Sequence, residues 1–213
     1  MKTDDFVLML ATGANPIPLN LGFRRHATAL GWGSLVTLLL MFGTIGLLPN
    51  LNVALASPKF WIKLGFVACL AIAGIAAVSR LSRPGVHLGY VRMALAVPVI
   101  VIWGLALTVL ADAAPEQRDE LLLGHTWISC PGLIAMLSTP LFVANIWAMR
   151  GLAPTHLRLA GGCAGLLAGA IGACIYCFHC PEMEVPFIAT WYVIGIFIPT
   201  AVGIVLGPRL LRW

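Results

Sequence analysis

Six runs of about twenty apolar residues follow one another along the chain, separated by short breaks that carry proline, asparagine or charge. The runs cover residues 27–47, 60–78, 93–111, 130–149, 157–178 and 188–207. Each is long enough for an α-helix to cross the ~30 Å hydrocarbon layer of a membrane. In parts of these runs, apolar residues occupy every side of the predicted helix, so lipid or neighbouring helices must surround it. The pattern predicts an all-α, polytopic membrane protein folded as a six-helix transmembrane bundle.

Basic residues predict the orientation of this bundle. Of the 13 Lys and Arg, most fall at the end that holds both termini: Lys2, Arg24, Arg25, Arg80, Arg83, Arg92, Arg150, Arg158, Arg209 and Arg212. The others, Lys59, Lys63 and Arg118, fall at the opposite end. Because bacterial membranes retain Lys and Arg on the cytoplasmic side, we expect an inner-membrane protein whose N- and C-termini are both cytoplasmic.

The net charge of +5 does not indicate a nucleic-acid partner. The basic residues are spread thinly over the loops, as expected for side chains that face anionic lipid head groups. We therefore expect the lipid bilayer to be a partner of these residues, and we expect no nucleic acid to bind the chain directly.

The spans are poor in groups that carry chemistry. No Asp, Glu, Lys, Arg or His lies at the centre of a span, and Lys63, about one turn inside the second, is expected to extend outward to water. Hydrolase and phosphate-binding motifs are absent. In the fifth span, Gly161, Gly165 and Gly169 form a stripe of small residues, which predicts close packing against another helix. The sequence thus favours a protein that is not an enzyme.

Cysteine is the residue type that offers a candidate site. Of the six cysteines, Cys69 and Cys163 lie inside spans, whereas the other four fall at the outer end of the bundle: Cys130, Cys174, Cys177 and Cys180. Proline is favoured at the first position of a helix, so Pro131 predicts that Cys130 is the N-cap residue of the fourth span. The helix dipole would then make Cys130 the most acidic thiol.

Cys130 and Cys180 are the primary candidates, because they lie at similar depth on consecutive spans and face an oxidising compartment. They could form a disulfide or share a soft metal ion, which would act as a signal and not as a required cofactor. Cys177, Cys174 and His179 are secondary candidates for the same sensing site, and Cys130 and Cys180 are also the candidate metal ligands. Plain packing is the third alternative, and the residues alone leave the three open.

The first 26 residues form a cytoplasmic N-terminal arm ahead of the transmembrane domain at 27–213. Thr3 or Asp4 can cap a short helix that ends before Gly13, and this helix is too short to be stable alone. We expect it to bind a partner through Asp4, Asp5, Phe6, Met9 and Leu10. The alternative is a helix that lies on the bilayer, which the two acidic residues disfavour because anionic lipid heads repel them.

Several segments of the chain, taken together, resemble the NrsF-type bacterial anti-sigma factors. The matching pieces are Met1 to Asp5, the run Pro58-Lys59-Phe60-Trp61-Ile62-Lys63-Leu64, Gly151-Leu152-Ala153-Pro154-Thr155, His179-Cys180-Pro181-Glu182, Ala189-Thr190-Trp191-Tyr192, and the terminal Gly207-Pro208-Arg209-Leu210-Leu211-Arg212-Trp213. Proteins of this kind are six-span inner-membrane inhibitors of an extracytoplasmic-function sigma factor, and the pieces cover the chain from end to end. Cys174, Cys177 and Pro131 depart from the family pattern.

The resemblance implies a transcription regulator that acts in a stress response. Its N-terminal arm would hold the sigma factor at the membrane, and Cys130 and Cys180 would take part in sensing. The additional thiols make oxidants or heavy metals the expected stimuli. Two other classes remain as alternatives: a quinone-linked membrane thiol oxidoreductase that uses Cys177, Cys180 and Cys130, and a small permease.

Overall fold

The computed structural model describes residues 3–12, 21–83, 85–152 and 154–212, and these residues form α-helices joined by turns, with no strand among them. The helices are α1 Thr3–Thr12, α2 Leu21–Thr44, α3 Leu51–Ala56, α4 Pro58–Leu81, α5 Val91–Asp112, α6 Pro115–Leu123, α7 Ser129–Arg150, α8 Leu157–Tyr176 and α9 Val185–Leu210. A π-helical turn at Ile188–Tyr192 interrupts the regular winding of α9.

Six of these helices, α2, α4, α5, α7, α8 and α9, are long and apolar enough to cross a membrane. The predicted all-α, six-span bundle is therefore confirmed. Helix α2 begins at Leu21, ahead of the predicted residue 27, because the residues before the apolar run, Arg24 and Arg25 among them, are already helical. It ends at Thr44, before the predicted residue 47, where Gly46 adopts a left-handed φ of 71° that stops the helix.

Helix α8 lies at the centre of the bundle. Fourteen of its 20 residues are buried, and α9 crosses it on the glycine face. A Cβ atom on Gly161 would collide with the backbone carbonyl of Gly203, and one on Gly165 with the carbonyl of Pro199. The glycine stripe therefore brings two backbones into direct contact, as the spacing predicted.

One end of the bundle, here called the basic end, holds the start of α2, the α4–α5 and α7–α8 connections and the end of α9. The His26 ring nitrogen Nε2 lies 2.9 Å from the Ser82 hydroxyl. The guanidinium of Arg25 stacks over the Trp147 ring, with 4.8 Å between its central carbon and the ring centre. Polar and cation–π contacts thus join α2 to α4 and α7 at this end.

The opposite end, here called the cysteine end, carries the turn between α8 and α9 and the short helices α3 and α6. Pro115 begins α6, which runs to Leu123, because proline is favoured at the first position of a helix. None of the nine residues of α6 is buried. Because α6 has no buried apolar face, the sequence shows no clear amphipathic pattern that would predict this helix. Gly124, with a φ of 53°, ends α6 and turns the chain towards α7.

Candidate functional site at the cysteine end

Three cysteines come together at the cysteine end. Cys130 lies near the start of α7, and Cys177 and Cys180 lie in the turn that follows α8. The side chains of all three are fully buried in the same apolar cluster. The turn forms because the Cys180 N–H still donates to the carbonyl of Tyr176 at 3.0 Å, whereas Pro181 has no N–H with which to continue the helix.

The position of Cys130 differs from the prediction. Helix α7 begins at Ser129, and its N-cap residue is Ile128, so Cys130 is the second residue of the helix and not the cap. Its N–H donates to the carbonyl of Thr126 at 2.9 Å. The residues before α7 already have helical dihedral angles, and a proline-based boundary is therefore placed too late.

The thiols of Cys130 and Cys180 and the hydroxyl of Tyr176 are neighbours in this cluster. The pKa of the Cys180 thiol is lowered to about 6, chiefly by the hydrogen bond with Cys130, and also by Lys63, although burial opposes this shift. Burial raises the pKa of Cys177 to about 12. The geometry therefore makes Cys180 the acidic thiol, where the sequence had suggested Cys130.

Lys63 takes part in this cluster from α4. Its side chain is fully buried, and its Nζ donates to the carbonyls of Cys180 at 2.9 Å and Glu182 at 3.0 Å. The rings of Phe60 and Tyr192 flank the Nζ, with their centres 5.9 Å and 5.8 Å away. The expectation that Lys63 extends outward to water is therefore wrong, because free carbonyls after α8 offer it partners inside the protein.

The turn at residues 177–184 is tied to most of the elements at the cysteine end. The Leu48 N–H donates to the carbonyl of Phe178 at 2.9 Å, and the His179 ring nitrogen Nδ1 lies 3.1 Å from the carbonyl oxygen of Gly46. A movement of this turn would therefore also displace the connection between α2 and α3.

Two acidic residues fix the other end of the same turn. A carboxylate oxygen of Glu182 accepts the N–H of His125 at 2.8 Å, and the Glu184 carboxylate pairs with Lys59 at 2.6 Å. The turn is thus bonded to the connection between α6 and α7 and to the start of α4. Because of these bonds, a change in the conformation of the turn at Cys180 would alter the contacts of several helices.

The secondary candidates are less centrally placed. Cys174 is half-buried about one turn deeper in α8, next to Cys177. The imidazole of His179 packs against Tyr176, with 5.7 Å between ring centres, while its Nδ1 faces the α2–α3 connection. Within the described ranges there is no group of three or more His, Cys, Asp or Glu residues arranged to hold a metal ion. Metal binding at Cys130 and Cys180 thus stays a prediction, and two thiolates are the ligand set the structure offers.

Two aromatic residues of the site were missed by the sequence analysis. Tyr176 and Tyr192 are buried, and their ring centres lie 5.8 Å apart. The Tyr192 hydroxyl lies beside the thiols of Cys177 and Cys180 and has no oxygen or nitrogen partner among the described residues. Tyr192 is the last residue of the π-helical turn, and the spacing of residues in the sequence does not predict such a turn.

The predicted N-terminal helix is present as α1, Thr3–Thr12. Asp4, Asp5 and Met9 are exposed on it. The side chains of Phe6 and Leu10, and the backbone of residues 13–20, lie outside the described part of the chain, so their predicted role in partner binding stays a prediction. Helix α1 thus presents both acidic and apolar side chains on its surface.

The fold and the site define a class: a six-span helical membrane protein with buried, closely spaced thiols at one end. The family model described as "Negative regulator of sigma F", NrsF, matches residues 10–213, and the chain belongs to this family. The chain is 49% identical over 213 residues to the "Probable anti-sigma-F factor NrsF" of Azospira oryzae and 37% identical over 221 residues to the "Anti-sigma-F factor NrsF" of Caulobacter vibrioides. Both alignments cover 100% of each chain.

No solved structure matches the chain. The relatives carry the names of regulatory proteins and not of enzymes, and this agrees with the prediction that the chain is not an enzyme. The resemblance drawn from the residues is confirmed. The oxidoreductase and permease alternatives receive no support from the family.

Proposed function

We propose that this chain is a membrane-embedded anti-sigma factor with its input and output at opposite ends. Its N-terminal arm sequesters a sigma factor of the kind named sigma F in its relatives, which we expect to belong to the extracytoplasmic-function class. Cys130 and Cys180 sense the stimulus that releases it. The observation that carries the proposal is the convergence of these two thiols from different helices at the end of the bundle remote from the start of α2.

The charge distribution supports the orientation that this function needs. Arginines are concentrated at the basic end, and in a bacterial inner membrane that end faces the cytoplasm. The arm, which precedes α2, then meets the cytosolic sigma factor. The thiols face the oxidising side of the membrane, where disulfides persist.

Disulfide formation is the change that the pair is best placed to undergo. Cys130 and Cys180 together lose two electrons and two protons, and a hydroperoxide that accepts them becomes an alcohol and water. The new bond joins the start of α7 to the turn after α8, and the hydrogen bonds of that turn spread the change to α2, α4 and α6. Release requires that the oxidised protein bind the sigma factor less tightly than the reduced protein does.

The arm is tested by two matched substitutions on α1. Met9 is one of the predicted partner-binding residues and Leu8, the residue before it, is not, yet both are exposed, at 58% and 69%. Met9→Asp and Leu8→Asp each add one charge, and each adds it four residues after an existing aspartate. We expect Met9→Asp to lower sigma factor capture by purified protein at least about tenfold and Leu8→Asp to leave it nearly unchanged. Equal capture by both variants and by the wild type would refute the role of the arm.

The sensor is tested by intact-mass spectrometry after exposure to hydroperoxide or to a Hg²⁺ or Cd²⁺ salt. We expect the protein to lose two hydrogens in hydroperoxide, and we expect Cys130→Ser and Cys180→Ser to abolish both this loss and release of the sigma factor. Cys163→Ser, a buried cysteine in another part of the core, is the control and should respond normally. A bound metal ion that replaces two thiol hydrogens, with no disulfide formed in hydroperoxide, would identify soft-metal capture instead. Normal release in both serine variants would remove the pair from sensing.

A further inference from the structure

Among the residues that the structure describes, none gives the buried amino group of Lys63 a carboxylate partner. Among the described residues the one salt bridge joins Lys59 to Glu184, both partly exposed. Glu182, the acidic residue nearest in sequence to Cys180, gives Lys63 only its backbone carbonyl, because its carboxylate accepts the N–H of His125. A fully buried ammonium is thus left with two carbonyls as its hydrogen-bond acceptors.

Such an arrangement is costly unless an opposite charge lies nearby. Removing an ammonium from water costs several kcal/mol even after relaxation, and carbonyl dipoles recover only part of that. Among the described residues, the groups that face Lys63 and Cys180 are Phe60 from α4, Cys130 from α7, Tyr176 and Cys177 from the end of α8 and its turn, and Tyr192 from α9. None of them is a carboxylate. A thiol is the group in this set that most readily becomes an anion.

We propose that Lys63 and Cys180 form a buried ammonium–thiolate pair, in which Lys63 is the positioning residue that keeps Cys180 in its reactive form. Lys63 holds the backbone of Cys180 through the carbonyl and attracts the thiolate through its charge. The Cys130 thiol, from α7, is the neighbour of the Cys180 sulfur in the same buried cluster. The pair deepens the sensor proposed above and rests on it for its biological meaning, but it is a property of the isolated protein.

The pair assigns the order of events at the two cysteines. The Cys180 thiolate attacks the terminal oxygen of a hydroperoxide, and the alkoxide leaves and takes a proton from water. The Cys130 thiol then displaces the bound oxygen from Cys180 as water, and the disulfide forms. Once the sulfur has lost its charge, Lys63 keeps only the two carbonyls, so oxidation also weakens its hold on the turn after α8.

The test counts thiolates in purified, detergent-solubilised protein without a sigma factor. In a variant that keeps only Cys130 and Cys180, the infrared S–H stretching band reports protonated thiols, and ultraviolet absorbance reports the thiolate. We expect one thiolate and one S–H group per chain at neutral pH with Lys63 or Lys63→Arg. With Lys63→Met we expect two S–H groups and oxidation by hydroperoxide that is about tenfold slower.

Lys59→Met is the matched control, because Lys59 lies one turn earlier on α4 and pairs with Glu184 in a partly exposed position. It should leave the thiolate signal unchanged. Two S–H groups in the protein that carries Lys63 would overturn the pair even if Lys63→Met failed to fold, and so would a thiolate that persists in Lys63→Met. Because the readout needs no sigma factor, loss of the pair and loss of anti-sigma activity are separate results.

Discussion

At the scale of single residues, Cys180 gives the protein a specific dependence on pH. Its pKa is lowered from 9.0 to about 6 in the folded protein, by the hydrogen bond with Cys130 and then by Lys63. A lowered pKa means that folding favours the thiolate, so the stabilisation is complete above the unfolded pKa and is lost as the pH falls through the folded one. We therefore expect the melting temperature of the reduced protein to decrease as the pH is lowered from about 9 to about 6.

Differential scanning fluorimetry of reduced wild type and Cys180→Ser checks this. Other groups titrate in both proteins, so the difference between the two curves isolates the contribution of Cys180. The wild type should lose more stability than Cys180→Ser over this window. Parallel curves would show that the Cys180 thiol has an ordinary pKa in the fold.

Single residues also show where sequence reasoning stops. The cysteines can be assigned to one end of the bundle by counting spans, since each span reverses the side of the membrane. The burial of Lys63 could not be found in this way, because its partners, the carbonyls of Cys180 and Glu182, are more than a hundred residues away in sequence. Hydropathy measures the preference of a side chain for lipid or for water. It does not show whether another helix offers that side chain a polar partner inside the protein.

At the scale of elements, the crossing of α8 and α9 controls the shape of the bundle. Ala usually stabilises a helix relative to Gly by about 0.5–1 kcal/mol, so a Gly→Ala change that destabilises reveals a steric contact. Gly165→Ala should destabilise by about 1–3 kcal/mol, because its Cβ would meet the Pro199 carbonyl. Gly104→Ala on α5, where no atom lies within 4 Å of the new Cβ, should be neutral or stabilising.

Thermal unfolding of the two variants in the same detergent measures the contrast. The opposite signs matter more than the magnitudes, because both substitutions change helix propensity equally. Similar melting temperatures for Gly165→Ala and Gly104→Ala would mean that α8 and α9 do not approach as closely as the structure places them.

The elements differ in how far the sequence could predict them. The six spans follow from apolar length, since an apolar helix of about 20 residues crosses the hydrocarbon layer and satisfies its own backbone hydrogen bonds there. Their ends do not, as α2 shows by beginning at Leu21 and ending at Thr44, because hydrogen bonding and not apolarity decides where a helix stops. The π-helical turn in α9 depends on tertiary contacts, among them the bond from the Trp103 indole nitrogen to the Ala189 carbonyl at 2.9 Å.

At the scale of the whole molecule, α9 makes contacts at both ends of the bundle. It brings Tyr192 to the thiols at the cysteine end and packs along the glycine face of α8. At the basic end, the side chain of Arg150 donates to the carbonyl of Leu210, which ties α9 to α7. A small shift of α9 at the cysteine end would therefore be passed along a rigid backbone contact to the end where we place the arm.

Such coupling has a thermodynamic consequence that does not depend on the route. If disulfide formation weakens sigma factor binding by a given factor, sigma factor binding must stabilise the reduced protein by the same factor. Each tenfold of coupling corresponds to about 1.4 kcal/mol and, for a two-electron couple, to about 30 mV. We expect saturating sigma factor to raise the reduction potential of the Cys130–Cys180 pair by this amount for each tenfold loss of affinity on oxidation.

The purified protein is equilibrated in glutathione buffers of graded potential, with and without sigma factor. Alkylation of the thiols that are still reduced then gives the oxidised fraction at each potential, and the two series give the shift in reduction potential. Met9→Asp serves as the control, because a protein that does not bind the sigma factor should show the same potential in both series. If sigma factor binds the wild type and leaves its potential unchanged, the thiols and the arm are energetically independent. Release would then have to start from another site in the bundle, since a ligand or modification shifts only those equilibria whose states it distinguishes.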